Sequence, residues 1–280
     1  MKQACLVVLV VLSLALPAFA GELSLRSEQV YNGEVAVLQW RGTPLSFAVA
    51  RFNKEVYYLY PDSDGAIALL PVGLHVAAGH YPVLAAMVDL QGQTSTTELL
   101  LTVVDKQRPE ERLTLPERMV TPGRKDLERI SRENNRLKEI FAGRSPRLWT
   151  NFVMPVGDAV SSVFGKRRVL NGKPKSPHSG TDFRSPMGTP VRPISNGRVA
   201  LVADLFYTGN TVVVDHGEGL FSLYAHLSEV LVEEGNDLLV SDVLGRVGST
   251  GRSTGAHLHL TVKLFGERID PLALVAAFND

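Results

Sequence analysis

From residue 152 onward, short runs of β-branched and aromatic residues alternate with glycine corners, and no stretch keeps a helical period. Residues 198–203, 211–215, 221–226, 243–247 and 257–264 each have the length and composition of a strand. So many short strands can bury their apolar faces only by stacking or by closing on themselves. This predicts an antiparallel, barrel-like or sandwich β domain over residues 151–280. A mainly β fold class follows for the chain as a whole, because a second set of short runs lies between residues 22 and 105. Turn signals at Tyr31-Asn32-Gly33, Pro61-Asp62-Ser63-Asp64-Gly65 and Gln91-Gly92 separate them.

Residues 79–84, a turn, and residues 98–104 resemble the last two strands of an immunoglobulin-like sandwich, so residues 21–105 are expected to form such a domain, with a binding or positioning role. Residues 106–150 change to a dense mixture of Arg, Lys and Glu with several prolines, as a linker carrying one exposed helix would. Thr121 and Pro122 supply a cap and a first-turn proline. Leu127, Ile130, Leu137 and Phe141 then recur at helical spacing, which predicts a helix over residues 124–142. Its apolar face is narrow, so it should lie against a domain, and its charges read as a solvated face. The position of this segment also suggests a latch in which one of its residues reaches over the neighbouring site.

Lys2, the apolar run 6–16, Pro17 and Ala18-Phe19-Ala20 read as a secretory leader over residues 1–20, implying a periplasmic or secreted protein with no membrane span after cleavage. The single cysteine, Cys5, falls inside that leader. A mature chain without thiols has no disulfide, cysteine nucleophile or thiolate metal site, so any metal must be held by His, Asp or Glu. Formal charges cancel. No chain-wide basic field exists to hold nucleic acid through phosphate neutralisation, so nucleic acid is excluded as a partner.

Five of the seven histidines lie between residues 178 and 259. His178 and Asp182 enclose Ser179-Gly180-Thr181, a turn short enough to bring an imidazole and a carboxylate to one ion. His257 and His259 flank Leu258, and the two-residue period of a strand puts both imidazoles on one face. His226 ends a strand before a polar turn. Two His and one Asp give three ligands to a tetrahedral Zn²⁺ with the fourth position open, as hydrolytic zinc sites require. Two further histidines remain to move protons or stabilise an oxyanion. Spacing alone does not say which of His257 and His259 binds metal.

The stretch from about residue 154 to 274 resembles the M23 family of peptidoglycan endopeptidases, of LytM or lysostaphin type. The strings PVGDAVSSVFGKRR, HSGTDFRSPMGTPV, GNTVVVDHGEGLFSLYAHLS and GSTGRSTGAHLHLTV occur in that family's order and separations. The resemblance implies His178, Asp182 and His259 as Zn²⁺ ligands and His226 and His257 as catalytic histidines. It also implies a compact antiparallel β metallopeptidase domain with a groove over the metal. The activity it implies is hydrolysis of peptide cross-links or stem peptides of peptidoglycan, with regulatory wall or envelope proteins as further partners. The alternative is a non-catalytic wall-binding regulator of other hydrolases. Ala256 and Thr261 depart from the family's common proline and acidic residue, but every ligand and catalytic histidine is kept. His216 is expected to be structural, as are His75 and His80. Gly248, Gly251 and Gly255 are expected to shape a groove-wall turn, and Tyr224 either to pack or to meet substrate.

Overall fold

The computed structural model describes residues 20–279. The expected leader, with Cys5, lies outside the described residues. Residues 21–104 form two facing sheets. One runs in the order Gly21–Leu25, Val35–Gly42, Gly65–Pro71, Tyr60–Asp62, and the other Gln29–Tyr31, Thr94–Val104, Gly79–Asp89, Leu45–Phe52, Glu55–Tyr58. Between them Leu38, Trp40, Phe52, Leu70, Met87 and Leu101 close one core.

Two central strands of this sandwich, Val35–Gly42 and Gly65–Pro71, are buried at six consecutive positions each instead of at alternate ones. Both of their faces are buried. Ala36, Leu38, Ala68 and Leu70 point into the sandwich, while Val35, Val37, Ile67 and Leu69 join a second core with Trp149, Phe152 and Leu264 of the C-terminal part. The sandwich therefore shares two strands with the neighbouring core and is not a separately tethered module.

The C-terminal part is built on a ten-stranded sheet whose main path runs Val160–Ser162, Thr181–Phe183, Leu258–Leu264, Leu220–Val230, Gly209–Gly217, Gly197–Leu205, Asp237–Leu238. Leu258, Leu260, Val262 and Leu264 face the core with Val212, Val214 and Tyr224. The opposite face of the sheet carries Leu201, Val213, Phe221, Leu223 and Ala225, and against it lies the helix Arg124–Ala142 through Leu137, Ile140 and Phe141.

That helix covers the expected span, but its start differs. Gly123 precedes the first turn with no side-chain cap, and Thr121 instead ends a short helix, Glu117–Val120. Pro122 cannot donate a backbone hydrogen bond, which separates the two helices. A third helix, Pro271–Asn279, was not foreseen. It is apolar on every side, so it shows no amphipathic period. Pro271, Leu274 and Val275 are buried, and Phe278 packs against Trp149 and Phe152 at ring distances of 5.5 and 4.9 Å. The segment read as a charged linker is docked as well: Glu110–Leu113 pairs in parallel with Arg167–Leu170. Among the described residues no helix is long and apolar enough to cross a membrane.

At the seam of the two cores Tyr58, Tyr60, Leu69, Trp149 and Phe265 enclose Glu218, which is 6% exposed and whose Oε1 has no hydrogen-bond partner. Burial, opposed by Arg147, pushes its carboxyl up to about 7 from 4.5. The folded chain thus keeps a proton that the unfolded chain has released, and stability falls as pH rises between those two values. Glu218→Gln is expected to stabilise the protein by about 2 kcal/mol at pH 8 and not at pH 4, read from thermal unfolding at both. The two tryptophans, Trp40 and Trp149, sit one in each core. Because the cores share strands, Trp40→Phe and Trp149→Phe are expected to report coincident denaturant midpoints by fluorescence.

Candidate metal centre

Asp182 and His259 are direct cross-strand partners in the pairing of Thr181–Phe183 with Leu258–Leu264. On these two strands Thr181, Phe183, Leu258 and Leu260 are buried, and alternation leaves Asp182 and His259 on the other face. His178 enters from the preceding turn. A Cβ on Gly180 would come within 2.1 Å of Leu260 O, so only glycine lets this turn approach the strand closely enough.

The result is one cluster of ligand atoms. His178 Nε2 lies 3.0 Å from Asp182 Oδ1 and 3.1 Å from His259 Nδ1, and the last two atoms are 2.6 Å apart. All three residues are buried. The outer ring nitrogens define the tautomers. His178 Nδ1–H donates to Val163 O at 3.0 Å with Ser162 Oγ at 3.2 Å, and His259 Nε2 lies 2.9 Å from Thr261 Oγ1, a hydroxyl able to accept its proton. Both inner nitrogens are then bare lone pairs aimed at a carboxylate oxygen. Three mutually facing acceptors repel unless a cation lies among them, and the donor set suits Zn²⁺. Burial raises the Asp182 carboxyl, but a proton on either inner nitrogen would outweigh burial by hydrogen bonding to it and hold the group far below the usual carboxylate range. Arg168 Nη2 donates to its other oxygen, Oδ2, at 3.1 Å.

His226 and His257 stand beside this cluster, their rings 4.6 Å apart and the His226 ring 5.9 Å from that of His259. Their Nδ1–H groups donate to Thr250 O at 2.7 Å and Gly255 O at 2.8 Å, leaving each Nε2 free. Simple alternation would point His226 into the core with Tyr224. Instead His226 has a φ of +62°, with register breaks on either side of it, and its ring turns into the cleft. Burial, then the neighbouring His259 and His257, push its pKa down to about 3, so it is neutral at pH 7. The 248–257 turn forms the cleft wall, and at Gly248 a Cβ would lie 2.3 Å from Ser228 N.

The cleft, of about 270 Å³, is bordered on its far side by Glu111, Leu113 and Leu115 from the segment preceding the helices. Glu111 Oε1 accepts from Ser162 Oγ at 2.7 Å, and its Oε2 accepts from Arg168 Nε at 3.1 Å. It thereby braces the neighbours of two members of the cluster, His178 and Asp182. Among the described residues the ligand cluster itself contains no member from this segment. Sequence reasoning missed Glu111 and Arg168, since neither lies near the histidines in the chain. Thr261 was visible only as a departure from a pattern.

His216 is buried away from the cleft, bonded to Asn196 O and to Ser222 Oγ, and burial lowers its pKa to about 4. Tyr224 is fully buried, with its hydroxyl accepting from Ile194 N, so it packs and does not line the cleft. His75 and His80 are exposed.

A β-sheet domain bearing an open His₂Asp centre flanked by two further histidines is the class these features define. The model of peptidase family M23 matches residues 176–271. A solved structure described as a putative M23 peptidase from Pseudomonas aeruginosa superposes with a TM-score of 0.65 at 30% identity, covering 89% of this chain and 96% of that one. The chain belongs to the M23 peptidase family, whose metal is zinc. The peptidoglycan DD-endopeptidase ShyA of Vibrio cholerae is 39% identical over 114 residues, 40% of this chain and 26% of the relative. The DD-carboxypeptidase/endopeptidase Mpg of Neisseria meningitidis is 35% identical over 129 residues, 46% of this chain and 28% of the relative. The match thus spans about a quarter of the length of these curated relatives.

Because the Thr261 hydroxyl bonds the outer nitrogen of the His259 ring and orients it, Thr261→Val is expected to weaken zinc binding by about 10-fold or more, measured by chelator competition with circular dichroism as the fold control.

Proposed function

We propose that the protein is a zinc-dependent endopeptidase that hydrolyses peptide cross-links or stem peptides of bacterial peptidoglycan, working outside the cytoplasm in the periplasm or after secretion. The observation that carries this reading is the convergence of three lone pairs from His178, Asp182 and His259 beside two histidines with free Nε2 atoms. The names of relatives that act on peptidoglycan support the choice of substrate.

His178 and His259, through Nε2 and Nδ1, and Asp182, through Oδ1, would hold the ion. When bound, Zn²⁺ supplies Lewis acidity, acidifying water and polarising an amide carbonyl. His226 and His257 carry the proton traffic in this reading. With Nδ1–H engaged by a backbone carbonyl, a bare Nε2 accepts the proton of the attacking water, and the resulting imidazolium donates to the oxyanion or to the departing amine. The low pKa of His226 keeps that base unprotonated at neutral pH. Arg168 and Glu111 hold Asp182 and the Ser162–His178 contact in place, which keeps the ligands set before substrate arrives.

Digestion of purified sacculi, with products identified by mass spectrometry, is expected to show new peptide termini and intact glycan. His226→Ala and His257→Ala should each retain one zinc per chain while cleavage drops by about 10²–10⁴-fold. Zinc-loaded protein that leaves sacculi and muropeptides uncut would sink the peptidase reading and return the regulator.

A further inference from the structure

The strand that carries His259 continues away from the metal with Thr261 and Lys263 on the same face, and Lys263 sits about 13 Å along it at the usual rise per residue. Between this face and the helix Arg124–Ala142 lies a cavity of about 430 Å³. Arg168, Leu170, Arg252 and His259 border both this cavity and the metal cleft, so the two adjoin.

Its charge is one-sided. Arg168, Lys175, Arg252, Lys263 and Arg268 line it against one acid, Glu133. Glu133 is already engaged, by Arg129 Nε at 2.5 Å and by Phe206 N at 2.9 Å. Arg168 is committed to Glu111 and Asp182, and Lys175 donates to Val120 O. Arg252 has only Met119 O and the Tyr207 ring, 4.2 Å from its guanidinium carbon.

Lys263 and Arg268 are direct cross-strand partners. Like charges held opposite each other on a sheet destabilise it. Neither cation has a carboxylate partner among the described residues, and the Lys263 ammonium rests instead 4.5 Å from the centre of the Phe141 ring. The adjacent Glu267 favours both charges through space but forms no ion pair with either. It is absent from the cavity wall, and its carboxylate points toward Gly73 of the sandwich. Asn134, Ser176 and Ser179 add neutral polar groups to the wall.

We propose that this cavity receives a carboxylate-bearing arm of the substrate peptide, two to four residues from the bond that is cut, with Lys263 and Arg268 clasping the carboxylate. The assignment rests on the peptidase reading above and specifies its substrate. The helix Arg124–Ala142 becomes one wall of the binding site. An extended peptide lying from the metal to Lys263 spans the same ~13 Å in about four residues, and a side-chain carboxylate reaches it in fewer.

The test uses two synthetic cross-linked stem peptides that differ only in whether their side carboxyls are free or amidated. Cleavage kinetics are measured on the zinc-loaded full chain, and binding is measured by calorimetry on zinc-loaded His226→Ala. The free-acid peptide is expected to bind at least tenfold more tightly and to show a correspondingly lower KM. Lys263→Gln combined with Arg268→Gln should reduce that preference to within twofold at unchanged zinc content and melting temperature, and Lys263→Arg should keep it. Equal binding of the two peptides by the wild-type sequence overturns the proposal, as does a preference that survives the double substitution. Displacement of the acid peptide by equimolar inorganic phosphate also overturns it, in favour of a site for free anions. If neither peptide is cut but the charge-dependent binding persists, the peptidase reading falls and the acidic-peptide site stands.

Discussion

The hinge of this molecule is the repulsion among three lone pairs. Asp182 Oδ1, His178 Nε2 and His259 Nδ1 lie within 3.1 Å of one another, the Val163 carbonyl holds the His178 proton on the far side of its ring, and the Thr261 hydroxyl can do the same for His259. A cluster of acceptors costs folding free energy unless a cation fills it, so the surrounding structure must hold it rigidly in advance. The neighbouring architecture does this: cross-strand register for Asp182 and His259, a glycine turn for His178, and Arg168 and Thr261 as outer partners.

Bracing extends beyond the metal-bearing sheet. Glu111 comes from the segment between the two cores and bonds both Ser162 and Arg168, so that segment is mechanically continuous with His178 and Asp182. The sandwich in turn contributes Val35, Val37, Ile67 and Leu69 to the core beneath the sheet. In this arrangement the helix Arg124–Ala142 covers part of the sheet face that also carries the metal site, leaving a basic cavity between them. The N-terminal half thus shapes the cleft that the C-terminal half equips.

Much of the site was legible because the chemistry was written at short range. The spacing of His178 and Asp182, and of His257 and His259, needs only a turn and a strand to become geometry, and the family strings ordered them. The five C-terminal strands and the helix over residues 124–142 were likewise readable from periodicity. What escaped had no local signal. The helix Pro271–Asn279 is apolar all round, and Glu111 and Arg168 meet the ligands only across the fold. The orientation of His226 depends on a left-handed residue between two register breaks, which strand alternation does not predict.

The sequence alone determined a mainly β chain with a His and Asp donor set, because residue types and two-residue periodicity act locally. Tertiary structure alone decided which imidazole nitrogens face the Asp182 carboxylate, that the charged segment forms walls of the cleft, and that Lys263 and Arg268 oppose each other beside it. Those outcomes depend on strand register and on which surfaces close against each other. Both are set by burying apolar faces that lie far apart in the chain.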